Sequence, residues 1–119
     1  MWKLVVSDHF DAAHHLEGYP GKCARTHGHT WRVDVAVEGE KLDSMGMIID
    51  FVTIKGKLKM ILEELDHYDL NEVPNFTFNP TAENLAKWIY GMMRTSIPQV
   101  TSVTVWESPD ASVTFSEEK

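Results

Sequence analysis

His27-Gly28-His29 heads a run in which every second residue is apolar, through Trp31, Val33, Val35 and Val37. Side chains of a β-strand alternate between its faces. A strand from His27 to Glu38 therefore puts both imidazoles on the face that its valines bury. The other parity, Thr30, Arg32, Asp34 and Glu38, is polar apart from Ala36 and faces water. Residues 2 to 14 repeat the pattern: Trp2, Leu4, Val6, Phe10 and Ala12 share one parity, Asp8 is the exception, and His14 falls in line. Gly18-Tyr19-Pro20-Gly21 breaks the chain between the two runs. Two such strands make an antiparallel pair with one buried face. If His14 meets His27 and His29 there, three neutral nitrogen donors surround a point with one position open, the usual catalytic zinc arrangement. The loop leaves the register unset, and a slip of one residue would turn His14 away. His15 is the competing candidate, and His9 reads as a surface residue.

The middle of the chain changes period. After a connection from Gly39 to Gly46, apolar residues at Ile54, Leu58, Ile61 and Leu65 recur at helical spacing. They predict a helix from about Phe51 to near Asp66-His67, with Gly56 costing it about 1 kcal/mol relative to alanine. A loop follows over 68–80. Thr81 then suits an N-cap, Glu83 suits the first turn, and Leu85, Trp88, Ile89 and Met92 form an apolar stripe best read as core packing. Pro98 ends that segment. Val100 to Glu107 alternates again, and residues 111–115 form a short last strand after the Pro109-Asp110 turn. The order β-β-α-α-β-β over residues 1–119 predicts one α+β domain, a four-stranded antiparallel sheet with two helices on one face.

Composition narrows the function. The net charge of −7 argues against a nucleic-acid partner, which requires a basic face. A single cysteine excludes an intrachain disulfide and makes Cys23 a free thiol, as in a reducing compartment. The sequence has no apolar run of membrane-spanning length and no secretory h-region at Met1-Trp2-Lys3, so a cytoplasmic protein without a membrane partner is expected.

Four features bear on chemistry. Cys23 reads either as a small buried hydrophobe or, flanked by Lys22 and Arg25, as a reactive thiolate. Lys22 and Arg25 themselves read equally well as solvated loop residues. Asp66-His67 is either an ordinary helix terminus or a carboxylate orienting a proton-transferring imidazole, although adjacent side chains seldom aim at each other. Glu107 shares its parity with Val103 and Val105. A carboxylate on an apolar face needs a partner, such as a ligand edge with adjacent N–H donors, unless the strand leaves the core at that point.

Taken in order, these segments resemble a known family, the 6-pyruvoyl-tetrahydropterin synthase / 6-carboxytetrahydropterin synthase family. The matching pieces are Phe10-Asp11-Ala12-Ala13-His14, Cys23-x3-His27-Gly28-His29 and Gly46-Met47-Ile48-Ile49-Asp50-Phe51. Leu65-Asp66-His67-x2-Leu70-Asn71, Asn79-Pro80-Thr81-x-Glu83-Asn84-Leu85-Ala86 and Glu107 complete the set. The resemblance implies the T-fold, with trimers closing their sheets into a barrel, two trimers stacking into a homohexamer, and active sites at subunit interfaces. It implies zinc on His14, His27 and His29, Cys23 as the proton-abstracting residue, Asp66 and His67 as its relay, and Glu107 as anchor of a pterin ring. The three residues between Cys23 and His27 resemble the 6-carboxytetrahydropterin synthases of the 7-deazaguanine (queuosine-type) pathway. Such enzymes turn 7,8-dihydroneopterin triphosphate into 6-carboxy-5,6,7,8-tetrahydropterin, acetaldehyde and triphosphate. The pyruvoyl-forming relative, which eliminates triphosphate from the same substrate, and a zinc- or pterin-binding module without turnover are the alternatives.

Overall fold

Register decides where the histidines go. The computed structural model describes residues 1–117. Strand β1 (Trp2–His14) pairs antiparallel with β2 (His27–Gly39) along its whole length, with His14 opposite His27 and Ala12 opposite His29. The unset register therefore takes the value that brings all three imidazoles to one face. Strand β3 (Val100–Ser108) lies on the other side of β2, and β4 (Ala111–Phe115) completes an antiparallel sheet of order β1-β2-β3-β4.

Helices α1 (Phe51–Glu63) and α2 (Ala82–Arg94) cover one face of this sheet. Ile54, Leu58, Ile61 and Leu62 from α1 meet Val6, Phe10, Trp31, Val33, Val35, Val103 and Val105 from the strands. Both helices begin as their sequences dictate. The Asp50 carboxylate accepts from the Val52 N–H, and the Thr81 hydroxyl accepts from the Asn84 N–H, each satisfying an orphan donor of the first turn. The order β-β-α-α-β-β is the one expected. Among the described residues no helix is long and apolar enough to cross a membrane.

Three expectations need adjusting. Helix α1 stops at Glu63, before Asp66-His67; tight turns carry the chain on, and His67 adopts φ +63°, outside any right-handed helix. The buried stripe of α2 is Leu85, Ala86, Ile89, Tyr90 and Met93, while Trp88 and Met92 are only half-buried. Trp88 sits at the border, edge-on to Phe76 with ring centroids 5.7 Å apart, and its Nε1 donates to the Asn75 carbonyl. Trp2, on the apolar parity of β1, is 52% exposed. A 13-residue strand spans roughly 43 Å and a 13-residue helix only about 20 Å, so the sheet outruns its cover at that end.

Trp31 is fully buried, stacks on Phe10 with centroids 6.0 Å apart, and lies beneath His14 and His29 at 4.9 and 5.2 Å. Its Nε1 donates to the Ala12 carbonyl. Trp31→Ala is expected to cost about 3–5 kcal/mol of folding stability, read as a lower urea midpoint at unchanged slope. A loss below about 1 kcal/mol would mean that the floor under the imidazoles repacks without it.

Candidate active site

The donor nitrogens of His14, His27 and His29 lie within 4.8 Å of one another. Backbone carbonyls orient two of the rings. His14 Nδ1 donates to the Pro80 carbonyl at 2.8 Å, and His27 Nδ1 donates to the Arg25 carbonyl at 2.6 Å. A carbonyl only accepts, so both rings carry their proton on Nδ1 and keep the Nε2 lone pair free. His14 Nε2 and His29 Nε2 are buried with no protein partner. Each such orphan costs about 1–3 kcal/mol unless something occupies it. Neutral imidazoles with their tautomers set from behind, converging on one point, suit a tetrahedral divalent cation with an open fourth position. His14 and not His15 joins this group. The ring of His15 is turned to the Asn71 side-chain amide, 3.2 Å from its Nε2.

Burial pushes His14 and His29 below the ordinary histidine value of 6.5. The Pro80 carbonyl opposes this for His14, and the Glu107 carboxylate opposes it for His29. Groups with a lower pKa in the folded state bind fewer protons there than when unfolded, so stability rises with pH. The metal-free protein is expected to hold its stability above about pH 6.5 and to lose it progressively below, as the unfolded imidazoles charge first. Carboxyls held low, such as Asp66, act only in the acid range below 3.8 and do not contribute to this window. Urea midpoints at about pH 7.5 and about pH 5.5 measure the slope; a midpoint equal or higher at the lower pH contradicts the assignment.

Glu107 stands beside this group. Its Oε1 lies 3.6 Å from His29 Nε2, too far for a hydrogen bond. Its side chain is 34% exposed, leaving an oxygen for a ligand. Strand β3 continues to Ser108, but Glu107 falls at an irregularity between Trp106 and Ser108 and no β3 residue after Val105 is buried, so the strand leaves the core here while staying in the sheet.

Asp66 and His67 do aim at each other. The left-handed backbone at His67 turns its ring back, and Nδ1 reaches Asp66 Oδ2 at 2.9 Å. Non-glycine residues enter that region at a cost and mostly where function or context holds them. The holding contacts run along the free edge of β1. Asp66 Oδ1 accepts the Asp11 N–H at 2.9 Å, the His67 N–H donates to the Asp11 carbonyl at 2.6 Å, and the Ala13 N–H donates to the Tyr68 carbonyl. The Asp11 N–H and then the His67 ring hold the Asp66 carboxyl below its usual range. His67 borders an open cleft of about 540 Å³ lined also by Asp11, Gly28, His29, Thr30 and Tyr68. With Asp11 it forms a second cluster, separate from the three imidazoles.

Cys23 is half-buried on a short 3-10 turn, Lys22–Ala24, between exposed Lys22 and Arg25. Its sulfur belongs to neither cluster. One chain thus brings together His14, His27, His29 and Glu107, and keeps Asp66-His67 at the sheet edge.

Residues 3–118 match the family profile described as 6-pyruvoyl tetrahydropterin synthase. The chain belongs to that family. It is 36% identical over 114 residues to a 6-carboxy-5,6,7,8-tetrahydropterin synthase of Synechocystis, covering 91% of this chain and 88% of the relative. It is 32% identical over 114 residues to a dihydroneopterin monophosphate aldolase of Pyrococcus furiosus, covering 93% and 94%. Its structure superposes on the 6-pyruvoyl tetrahydropterin synthase of Caenorhabditis elegans with a TM-score of 0.88 at 27% identity, over 98% of this chain and 96% of that one. The architecture is therefore the T-fold that the motifs implied.

Sequence reasoning missed the groups that hold the site residues in this family member. The Pro80 and Arg25 carbonyls orient the imidazoles through backbone atoms, which every residue type offers alike. Asn71 closes one of the matching segments, but its clasp on His15 depends on tertiary placement and has no sequence signature.

Proposed function

We propose that this protein is a zinc-dependent 6-carboxy-5,6,7,8-tetrahydropterin synthase acting on 7,8-dihydroneopterin triphosphate. The observation that carries the reading is the convergence of three imidazoles on one point beside Glu107, two of them (His14 and His29) with a buried, unpartnered Nε2, in a chain of this family. The name of the Synechocystis relative and the three-residue spacing between Cys23 and His27 favour the carboxy product.

His14, His27 and His29 would hold the zinc, which when bound supplies a Lewis acid that makes protons beside a hydroxyl or carbonyl easier to remove. The Glu107 carboxylate accepts from the N–H edge of the pterin and keeps the substrate side chain over the imidazoles. Cys23, as thiolate, takes the proton. Asp66 holds the His67 ring through Nδ1, leaving Nε2 to give or take a proton on the other side of the reacting carbon. Within one chain Asp66-His67 groups with Asp11 and not with the imidazoles, and a hexamer with interfacial sites would bring this relay to the cluster of a neighbouring subunit.

Mass spectrometry after incubating zinc-loaded protein with dihydroneopterin triphosphate, and separately with the monophosphate, tests the reading. Carboxytetrahydropterin with acetaldehyde is expected from the triphosphate. Pyruvoyl-tetrahydropterin would assign the triphosphate-eliminating reaction instead. Aldol cleavage of the monophosphate alone would assign the activity named for the Pyrococcus furiosus relative, whose identity is nearly as high. Both substrates recovered intact would leave a binding module.

A further inference from the structure

Beyond the end of β1 the chain is held by side chains in place of a neighbouring strand. Asn71 Oδ1 accepts the His15 N–H at 2.9 Å, and the same amide donates through Nδ2 to the His15 carbonyl at 3.1 Å. Two residues on, Asn79 Oδ1 accepts the Glu17 N–H at 3.1 Å, with its Nδ2 3.4 Å from the Glu17 carbonyl. Between them the Leu16 N–H donates to the Cys23 carbonyl at 2.7 Å. Side-chain amides present one donor group and one acceptor, as a strand residue does, so the two asparagines continue the ladder where no backbone partner exists. Both are anchored in turn. Asp69 Oδ1 accepts the Asn71 N–H, and the Asn79 carbonyl accepts from the Thr81 N–H and the Asn84 amide.

We infer that Asn71 and Asn79 are positioning residues for Cys23. They fix the path of residues 15–17 and, through the Leu16–Cys23 bond, the place of the cysteine relative to His14. The two asparagines differ in what they must supply. At 79 only the acceptor bond is short. At 71 the Nδ2 faces two acceptors, the His15 carbonyl and His15 Nε2 at 3.2 Å, because Oδ1 is committed to a backbone N–H.

The inference rests on Cys23 being the proton-transferring group, but its position can be read without turnover. Cys23 is the one cysteine in the chain, so iodoacetamide reports on a single thiol. Cobalt(II) in place of zinc reports separately on the imidazole cluster through its absorption spectrum. In Asn71→Ala and Asn79→Ala, Cys23 is expected to alkylate about five- to tenfold faster as the clasp opens, with the cobalt spectrum retained. In the same variants kcat should fall about 10- to 100-fold with KM little changed, as for a displaced catalytic group. Asn79→Asp keeps the short bond and should recover both rates; Asn71→Asp sets a carboxylate against two acceptors and should recover neither.

Alkylation unchanged in both alanine variants overturns the proposal. So does faster alkylation accompanied by loss of the cobalt spectrum, since the asparagines would then hold the site as a whole. Should the alanine variants fail to fold, the aspartate pair decides: Asn71→Asp alkylating faster than Asn79→Asp supports the clasp, and equal rates overturn it. A wild-type protein that alkylates as expected but turns nothing over would overturn the enzymatic reading while leaving the placement of Cys23 standing.

Discussion

His27→Ala is expected to abolish zinc loading and, with it, turnover. His27 supplies one of three converging nitrogens, and its ring is already oriented by the Arg25 carbonyl. Removing it leaves two imidazoles and an exposed gap at the start of β2, where water enters. Loss of an outer partner that only orients a ligand costs about 10–100-fold in metal affinity, and loss of the ligand itself must exceed that. The fold should survive: His27 is half-buried at a strand end, and its ring closes no part of the apolar core. Metal analysis after dialysis against a weak chelator is the direct measurement. His9→Ala serves as the comparison, because that side chain is 69% exposed and outside the cluster, and it should keep a full complement of zinc. Zinc content near normal in His27→Ala, with normal unfolding behaviour, would sink the three-histidine assignment.

What could be read from the sequence follows the physics of each element. The faces of β1 and β2 were legible because a period of two admits no ambiguity over runs this long. Their mutual register was not, since it depends on a loop of unknown path, and it alone decides between His14 and His15. Helix α2 was legible in extent, from its Thr81 cap onward, but not in rotation. Met92 and Met93 are adjacent and chemically identical, and packing against β3 and β4 picks the second. The Asp66-His67 pair stayed open between a helix terminus and an orienting carboxylate for a local reason: adjacent side chains seldom meet while the backbone keeps its common conformations, and nothing in a histidine announces φ +63°. The separation of that pair from the imidazoles is a tertiary fact with no sequence signature.

Cys23→Ala is expected to separate metal binding from catalysis. The Cys23 sulfur lies outside the cluster of imidazole nitrogens, so zinc content and the cobalt(II) spectrum should match the unmodified protein. Turnover of dihydroneopterin triphosphate should fall by about 10²–10⁴-fold, the usual worth of a positioned proton-transfer group. KM should change little, because Glu107 and the imidazoles, which would bind the ground state, are untouched. The contrast with His27→Ala makes the pair informative: one variant should lose metal and rate together, the other rate alone. Cys23→Ser refines the test, since a hydroxyl of similar size stays protonated where a thiol ionises; a serine variant as slow as alanine points to the thiolate as the base. Asp66→Asn then probes the other half of the site. It replaces the carboxylate that orients the His67 ring through Nδ1, and should depress kcat with zinc content unaltered. Should Cys23→Ala retain full rate while Asp66→Asn loses it, the proton is taken by His67 itself, and the cysteine becomes a bystander.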